Sequence, residues 1–254
     1  MFTTVETAHP AGLEPRQSPI TELRRYRLHP GRRDELIALF DAEFIETQEG
    51  CGMRVIGQFR DLDDPDAFVW LRGFSGMRER HAALTAFYDG PVWARHRDAA
   101  NATMLDSDDV LLLHLASVSG GFRLPDARPG HGCEEPPSAI YQALTYRLKE
   151  PAENAFHSFH RNELEPILDR IGDMRIAILA SEPSENTFSR LPVRLGENVF
   201  VVFSRFADLA AHADFTRRLT NDIAWQGAQE VLESYLIGES IVARLSPTGR
   251  SALR

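Results

Sequence analysis

The sequence has little of several residue types on which common functions depend. Its two cysteines, Cys51 and Cys133, stand far apart without metal-ligand spacing, so we expect neither a zinc site nor a disulfide framework. Its only lysine is Lys149, beside 27 arginines, which we interpret as the codon bias of a GC-rich genome. Such a low thiol content fits a reducing compartment, and we expect the protein in the cytoplasm.

Long hydrophobic runs and basic clusters are also absent. No stretch approaches about eighteen consecutive apolar residues, and the first 18 residues lack the apolar core of a signal peptide. The net charge of −9 and the scattered arginines argue against nucleic-acid or membrane partners. The chain has no glycine-rich phosphate loop and no GxSxG, HExxH or CxxC motif. We therefore expect no cofactor, and neither a nucleotide-dependent enzyme nor a classical hydrolase.

The chain divides into two halves that follow one plan. Residues 119–137 are rich in glycine and proline without helical or strand periodicity, which predicts a linker. It separates a first unit, residues 19–118, from a second, residues 138–246. Residues 1–18 are predicted to be a flexible segment and residues 247–254 a tail. Hydrophobic periodicity gives the first half the order β-α-β-β-α-β.

The second half repeats this order with recognisable residues. The YRL that ends the first strand recurs at residues 146–148, and two phenylalanines and a tryptophan recur at one constant offset: Phe68, Phe74 and Trp93 match Phe200, Phe206 and Trp225. We therefore predict an α+β fold of two tandem ferredoxin-like units, each an antiparallel sheet with both helices on one face. The two free sheet faces are expected to pack together as an α/β barrel, either within one chain or between two.

The third strand, AFVWLRGF, predicts which face meets which partner. Phe68, Trp70, Arg72 and Phe74 share one face of the strand, and smaller or aliphatic residues share the other. Because small and aliphatic residues suit contact with helices, we expect the aromatic face to meet the second sheet inside the barrel.

The first half also resembles a known family. The stretches ELRRYRLHPGRRDEL, VIGQF and AFVWLRGFSGMRERHAALTAFYDGPVWARHRDAANATMLDSDDVLLL are similar to the NIPSNAP family of the dimeric α/β-barrel superfamily. The second half resembles it only in outline, because it lacks HRDAANATMLDSDD. The resemblance implies the barrel fold. It implies no single activity, because the wider fold includes cofactor-independent monooxygenases, haem-handling enzymes and small-molecule binders.

Arg72 is the first candidate for a functional residue. An arginine on a strand face with Trp70 and two phenylalanines needs a partner, because an unpaired charge in a dry interior is costly. That partner is either a carboxylate of the protein or an anionic or enolate-like substrate oxygen, which its planar fork would suit. Tyr26 and Tyr88 are expected to line the same cavity. The corresponding residue in the second half is Ser204.

A polar cluster, HRDAANATMLDSDD at residues 96–109, stands between a helix-like run and an apolar strand. Asp106–Asp109 are predicted to form the helix-to-strand turn, because Asp and Ser bond local backbone groups there. His96, Arg97 and Asn101 can share part of one helix surface. Their counterparts in the second half are Ala228, Gln229 and Glu233. This asymmetry has two interpretations, a site in the first half or a contact between the halves.

Three further histidines are candidates. His114, on the last strand of the first half, is either a core residue or a proton carrier, because its ordinary pKa is near neutrality. FHSFHRNE places His157 and His160 on one helix face, where they could bind a metal or haem. We favour the alternative that both histidines face water.

Two functions of different classes follow, with a third behind them. The first is a small-molecule enzyme that catalyses oxygenation or a proton-transfer isomerisation or cyclisation of an aromatic or polyketide-like substrate. In it Arg72 stabilises negative charge and His96 or His114 moves the proton. The candidates for substrate binding are Tyr26, Phe68, Trp70, Phe74, Tyr88 and Asn101. The second is a non-catalytic binding or scaffold protein, the third a haem-binding protein, and homo-oligomers are open to each.

Overall fold

The computed structural model describes residues 18–116, 121–133 and 137–254. The first unit consists of β1 (Ile20–Leu28), α1 (Arg33–Leu39), α2 (Ile45–Gly50), β2 (Arg54–Asp61), β3 (Ala67–Phe74), α3 (Met77–Tyr88), α4 (Pro91–Asn101) and β4 (Met104–Leu115). The second consists of β5 (Ile140–Leu148), α5 (Phe156–Phe159), α6 (Glu165–Ile171), β6 (Arg175–Ser181), β7 (Asn198–Phe206), α7 (Leu209–Asn221), α8 (Ile223–Tyr235) and β8 (Ile241–Pro247). A π-helical turn joins α1 to α2 (Phe40–Phe44) and α5 to α6 (His160–Leu164).

The eight strands form one closed barrel in the order β1-β3-β2-β8-β5-β7-β6-β4. Each unit contributes a four-stranded antiparallel sheet with its first and third strands in the middle. Two short seams join the sheets, β2 with β8 and β4 with β6. The predicted tandem α+β fold is confirmed, and the two sheets pair within one chain. No helix among the described residues has the length and apolar composition needed to cross a membrane.

The sheet faces point the opposite way from the prediction. Leu71 packs inside the barrel with Val201 of the second unit. Phe68, Trp70 and Phe74 pack against the helices of their own unit. The expectation that the aromatic face meets the second sheet is wrong. An eight-stranded barrel has an interior just wide enough for side chains from all sides, so it takes the shorter aliphatic residues, while the space under the helices takes the rings.

The polar run after α4 also differs from its prediction. The helix ends at Asn101 and β4 begins at Met104, so Asp106–Asp109 lie within the strand and the predicted turn is wrong. The run stays extended because it pairs with arginines of β1, Arg25 with Asp109 and Arg27 with Asp106, across a stretch of shifted register.

Parts of the predicted connections close the barrel. The predicted segment 1–18 lies outside the described residues except for Ser18, and the described part of the predicted linker is 121–133 and Pro137. Phe122 from that linker packs in the barrel interior, with its ring 5.4 Å from that of Phe203. Beyond β8, Leu253 joins the same core and its main-chain nitrogen donates to the carbonyl of Ile56 (3.2 Å).

One connection crosses from the second unit to the first. Residues 182–197, between β6 and β7, form what we call the inserted segment. Both ends are bonded to β4, because Glu182 N donates to Leu112 O and Arg194 N donates to Val110 O, each at 2.9 Å. Phe188 from its middle belongs to the core of the first unit. The second unit therefore covers part of the first.

Candidate functional site

Four charged side chains lie together on the helix side of the first sheet. Glu22 on β1 stands directly opposite Arg72 on β3. Its Oε2 accepts from Arg24 Nη1 (2.7 Å) and from Arg72 Nε (2.8 Å). Its Oε1 accepts from Arg80 Nε on α3 (2.7 Å). All four residues are at most 1 % exposed, and we call them the charge cluster.

The charges of this cluster do not cancel. Three guanidinium groups share one carboxylate, which leaves two positive charges in excess. Within the part of the chain that the structure describes, no second carboxylate lies within 4.0 Å of these guanidinium groups. Burial alone would raise the pKa of Glu22, but the three arginines outweigh it and hold that pKa far below its usual value. Glu22 is therefore ionised at neutral pH.

An aromatic cavity adjoins the charge cluster, between the helices and the sheet of the first unit. Its volume is about 30 Å³, which holds roughly two water molecules. It is lined by Tyr26, Leu36, Phe40, Phe44, Gln48, Trp70, Phe87, Tyr88, Trp93 and Met104. Arg24 Nε donates to the Tyr26 hydroxyl (3.0 Å), and Arg72 Nη1 donates to Gln48 Oε1 (3.2 Å). The wall of the cavity is thus bonded directly to the cluster.

Two buried donors beside the cavity are unused. Neither Trp70 Nε1 nor Arg80 Nη2 has a hydrogen-bond partner among the described residues. The Arg72 guanidinium carbon lies 5.1 Å from the ring centre of Trp70. Because buried polar groups are nearly always hydrogen-bonded, free donors beside a cavity indicate a place for water or for a ligand.

The second unit keeps the framework of this site and lacks its charge. The counterparts of Glu22, Arg24, Arg72 and Arg80 are Gln142, Leu144, Ser204 and His212. Gln142 Oε1 and His212 Nε2 lie 2.8 Å apart, in place of the contact between Glu22 and Arg80. A neutral set therefore fills the same place in the same fold, and the fold does not require the charge cluster.

The predicted binding residues divide into three groups. Tyr26, Trp70 and Tyr88 line the aromatic cavity. Phe68 and Phe74 are buried in the same core without lining it. Asn101 is exposed at the end of α4, away from the cavity. Their roles in substrate binding stay predictions.

The three predicted catalytic residues do not meet. Arg72 belongs to the charge cluster, and its partner is the protein carboxylate of Glu22. His96 lies outside the cavity lining, 6.4 Å from the Phe44 ring and 3.5 Å from a carboxylate oxygen of Glu43. His114 lies in a separate groove on β4, between Glu153 (3.2 Å) and Glu182 (3.7 Å). These distances leave the catalytic roles as predictions.

The histidines of the second unit do not offer a haem site. His160 is fully buried, so the expectation that both histidines face water is wrong for this residue. The π-helical turn that begins at His160 places it where Phe40 stands in the first unit, facing the sheet. Its Nδ1 lies 3.2 Å from Glu165 and its ring lies 4.9 Å from that of Phe200. Haem does not fit beside so closely packed a ring, and His157 alone offers no pocket.

Larger openings lie elsewhere on the molecule. A cleft of about 670 Å³ opens at one end of the barrel, and a groove of about 500 Å³ runs along the inserted segment. In the cleft, Arg175 is already paired with Asp173 (3.0 Å) and with Asp169. Neither opening contains a member of the charge cluster, so size alone does not identify the site.

The cavity wall also contains a titratable group. Asp41 lies on the π-helical turn whose Phe40 and Phe44 line the cavity, and burial raises its pKa to about 6 despite the nearby Arg250 and Arg128. An aspartate in the unfolded chain has a pKa of about 3.9. Because the folded pKa is the higher one, the stability that this group contributes is present at low pH and is lost as pH rises through 6.

Asp41→Asn is therefore expected to be more stable than wild type at pH 7.5, and this advantage should shrink at pH 5. The measurement is urea unfolding of both proteins at both pH values. Asp98→Asn, at an exposed position of α4, is the matched control. An equal advantage of Asp41→Asn at both pH values would contradict the assignment.

Comparison with known proteins separates the two units. Residues 21–120 match the NIPSNAP family model. No curated protein is significantly similar to the chain in sequence. Over the whole length the chain is similar to three solved structures. The "putative monooxygenase" of Fusobacterium nucleatum has a TM-score of 0.58 and 9 % identity, covering 94 % of this chain and 96 % of that one.

The other two structures cover as much of the chain. An anthrone oxidase-like protein has a TM-score of 0.56 and 13 % identity, covering 94 % of this chain and 96 % of its own. The "putative monooxygenase" of Lactobacillus acidophilus NCFM has a TM-score of 0.54 and 13 % identity, covering 92 % and 98 %. At these identities the likeness extends to the fold alone. The chain is thus a tandem α/β barrel whose first unit matches the NIPSNAP family and whose whole length shares the fold of monooxygenase-like proteins.

Proposed function

We propose that the protein is a small-molecule enzyme that works without a nucleotide cofactor on an aromatic substrate, in the aromatic cavity of the first unit. The observation that carries this proposal is the difference between the units. Both have the same framework, and only the first retains three buried arginines beside an aromatic cavity. Burying excess charge is costly, so a cluster that the fold does not need is best explained by what it binds.

The proposed chemistry begins with loss of a proton from a phenolic or enolisable substrate. The negative charge then develops on a substrate oxygen, where Arg72 and Arg24 stabilise it. Glu22 already holds both guanidinium groups in place, so little reorganisation accompanies the reaction. The resulting anion is either reprotonated at another carbon, which is isomerisation, or oxidised by dioxygen as co-substrate. His96 is the nearer proton carrier, because the Phe44 ring beside it lines the cavity.

The cavity has to widen for such a substrate. Pockets for small molecules usually measure roughly 300 to 1,000 Å³, well above the volume of this cavity. Tyr88 and Trp93, whose rings lie 4.9 Å apart, are the half-buried members of its aromatic wall. We expect these two side chains to rotate outward when the substrate enters.

Arg72→Ser introduces the residue that the second unit has at the same place. We expect kcat/KM for a phenolic or enolisable aromatic substrate to fall about 100-fold or more, as for loss of an oxyanion-stabilising donor. Oxygen uptake and ultraviolet absorbance, followed over a panel of such compounds, would find the substrate and separate oxygenation from isomerisation. Arg205→Ser, one residue beyond Ser204 on β7, is the matched control. Unchanged turnover in a folded Arg72→Ser protein would overturn the proposal.

The second candidate function is a binding or scaffold protein without catalysis. It is favoured by one observation, because Arg72 already has a carboxylate partner beside a nearly filled cavity. Native mass spectrometry of freshly purified protein, compared with its denatured mass, would test it. A retained aromatic compound without turnover would indicate a binding protein, and the same spectrum would count the chains in any homo-oligomer.

A further inference from the structure

The inserted segment of the second unit contributes one residue to the charge cluster. Asn186 Oδ1 accepts from Arg80 Nη1 (3.0 Å) and from the main-chain nitrogen of Phe188 (3.1 Å). Asn186 Nδ2 donates to the carbonyl of Leu191 (2.8 Å). The three contacts agree on one orientation of the amide, with its oxygen toward the arginine. Asn186 is therefore fixed as a neutral acceptor.

Further contacts hold the inserted segment on α3. His81 Nδ1 lies 2.6 Å from the carbonyl oxygen of Thr187, and Arg190 pairs with Asp89 (2.5 Å). The Phe188 ring lies 5.9 Å from the ring of Tyr88, which lines the cavity. The second unit thus covers the charge cluster and supports one wall of the cavity. An oxygen from this segment is the last partner that the chain supplies to Arg80.

The identity of that oxygen determines the net charge. An aspartate has nearly the shape of an asparagine and would lower the excess of two positive charges to one. With a neutral amide in its place, three guanidinium groups share the single carboxylate of Glu22, and none of them is fully neutralised. Excess charge in a buried site is stable only when it is paired, so a negative group has to come from outside the chain.

We propose that the ligand of the aromatic cavity carries an anionic oxygen group, a carboxylate or phenolate on an aromatic ring, and that Asn186 is a positioning residue that keeps the charge cluster positive for it. This inference rests on the proposed function, because both use the same cavity. The anion pairs with Arg72 and accepts from the free Trp70 Nε1. Asn186 acts at a distance, through Arg80 and Glu22.

Benzoate and benzamide are suitable probes, because they have nearly the same shape and differ in charge. Isothermal titration calorimetry of the full chain in low-salt buffer is expected to show benzoate binding at least tenfold more tightly than benzamide. In Asn186→Asp, benzoate affinity should fall at least tenfold while benzamide affinity is unchanged. Asn221→Asp, which adds the same charge at an exposed position at the end of α7, should change neither affinity.

The outcomes separate this inference from the proposed function. Equal binding of the two probes, or benzoate binding that is unaffected by Asn186→Asp, would overturn the anionic ligand and leave an aromatic site in place. Absence of binding by both probes, together with turnover that is unaffected by Arg72→Ser, would overturn both proposals. A merely structural Asn186 would change both affinities by the same factor, so the ratio of benzoate to benzamide affinity is the decisive quantity.

Discussion

Glu22→Gln is expected to lower the free energy of unfolding by about 3 to 5 kcal/mol. The substitution leaves three buried guanidinium groups without a carboxylate, and removal of one partner from a buried ion pair costs more than the pair itself contributes. Gln142 at the same position of the second unit shows that a glutamine fits the backbone there. The expected loss is therefore electrostatic. Urea unfolding at pH 7.5, followed by tryptophan fluorescence, measures it.

Glu35→Gln is the control for this prediction. Glu35 pairs with Arg32 at 2.5 Å on an exposed surface, and such pairs contribute only about 0 to 1 kcal/mol. A loss in Glu22→Gln no larger than that of the control would contradict the buried, charge-sharing geometry. Such a result would mean that water or another anion reaches the arginines.

The effect of Glu22→Gln should also depend on pH. The folded pKa of Glu22 lies far below the ordinary value of 4.5, because the three arginines outweigh its burial. A lowered carboxyl pKa gives stability that is present above the unfolded pKa and is lost as pH falls toward the folded one. The difference between wild type and Glu22→Gln is therefore expected to be constant from pH 7.5 to about 5.5 and to shrink below about 4.5. This direction is opposite to that expected for Asp41.

The architecture could be predicted from the sequence because it depends on patterns that recur. The order of strands and helices is the same in both halves, and the constant offset from Phe68 to Phe200 aligns them. The destination of each face could not be predicted in this way. Alternation along a strand defines two faces, but it does not say which of them meets helices and which meets a second sheet. Leu71 and Trp70 exchanged their expected places for that reason.

The candidate site was only partly predictable. Arg72 stood out because one arginine interrupts an aromatic face, and the same alternation in ITELRRYRL could have placed Glu22 and Arg24 beside Tyr26. Alignment of the halves could then have shown that their counterparts are uncharged. Arg80 and Asn186 carried no such signal. One is an arginine among several on a helix, and the other reaches the site from a connection of the second unit, 106 positions away in sequence.

Exchange of the charge cluster for its second-unit counterpart is expected to keep the fold and abolish ligand binding. The variant combines Glu22→Gln, Arg24→Leu, Arg72→Ser and Arg80→His. Replacing a whole buried ion cluster by neutral residues is often neutral or stabilising by about 1 to 4 kcal/mol, whereas removal of one member is costly. The four-residue variant should therefore be at least as stable as wild type within about 1 kcal/mol, although Glu22→Gln alone is strongly destabilised. Urea unfolding of both variants measures this non-additivity.

The same variant separates a structural cluster from a functional one. It leaves the Tyr26 hydroxyl without its arginine, and the second unit tolerates the equivalent arrangement, because the Tyr146 hydroxyl has no partner among the described residues. If the cluster is retained for a ligand, the folded variant should lose benzoate binding and lose turnover by about 100-fold or more. If the variant fails to fold, the neutral set of the second unit is not an adequate substitute in the first. The difference between the units would then reflect packing, and the observation that carries the proposed function would lose its force.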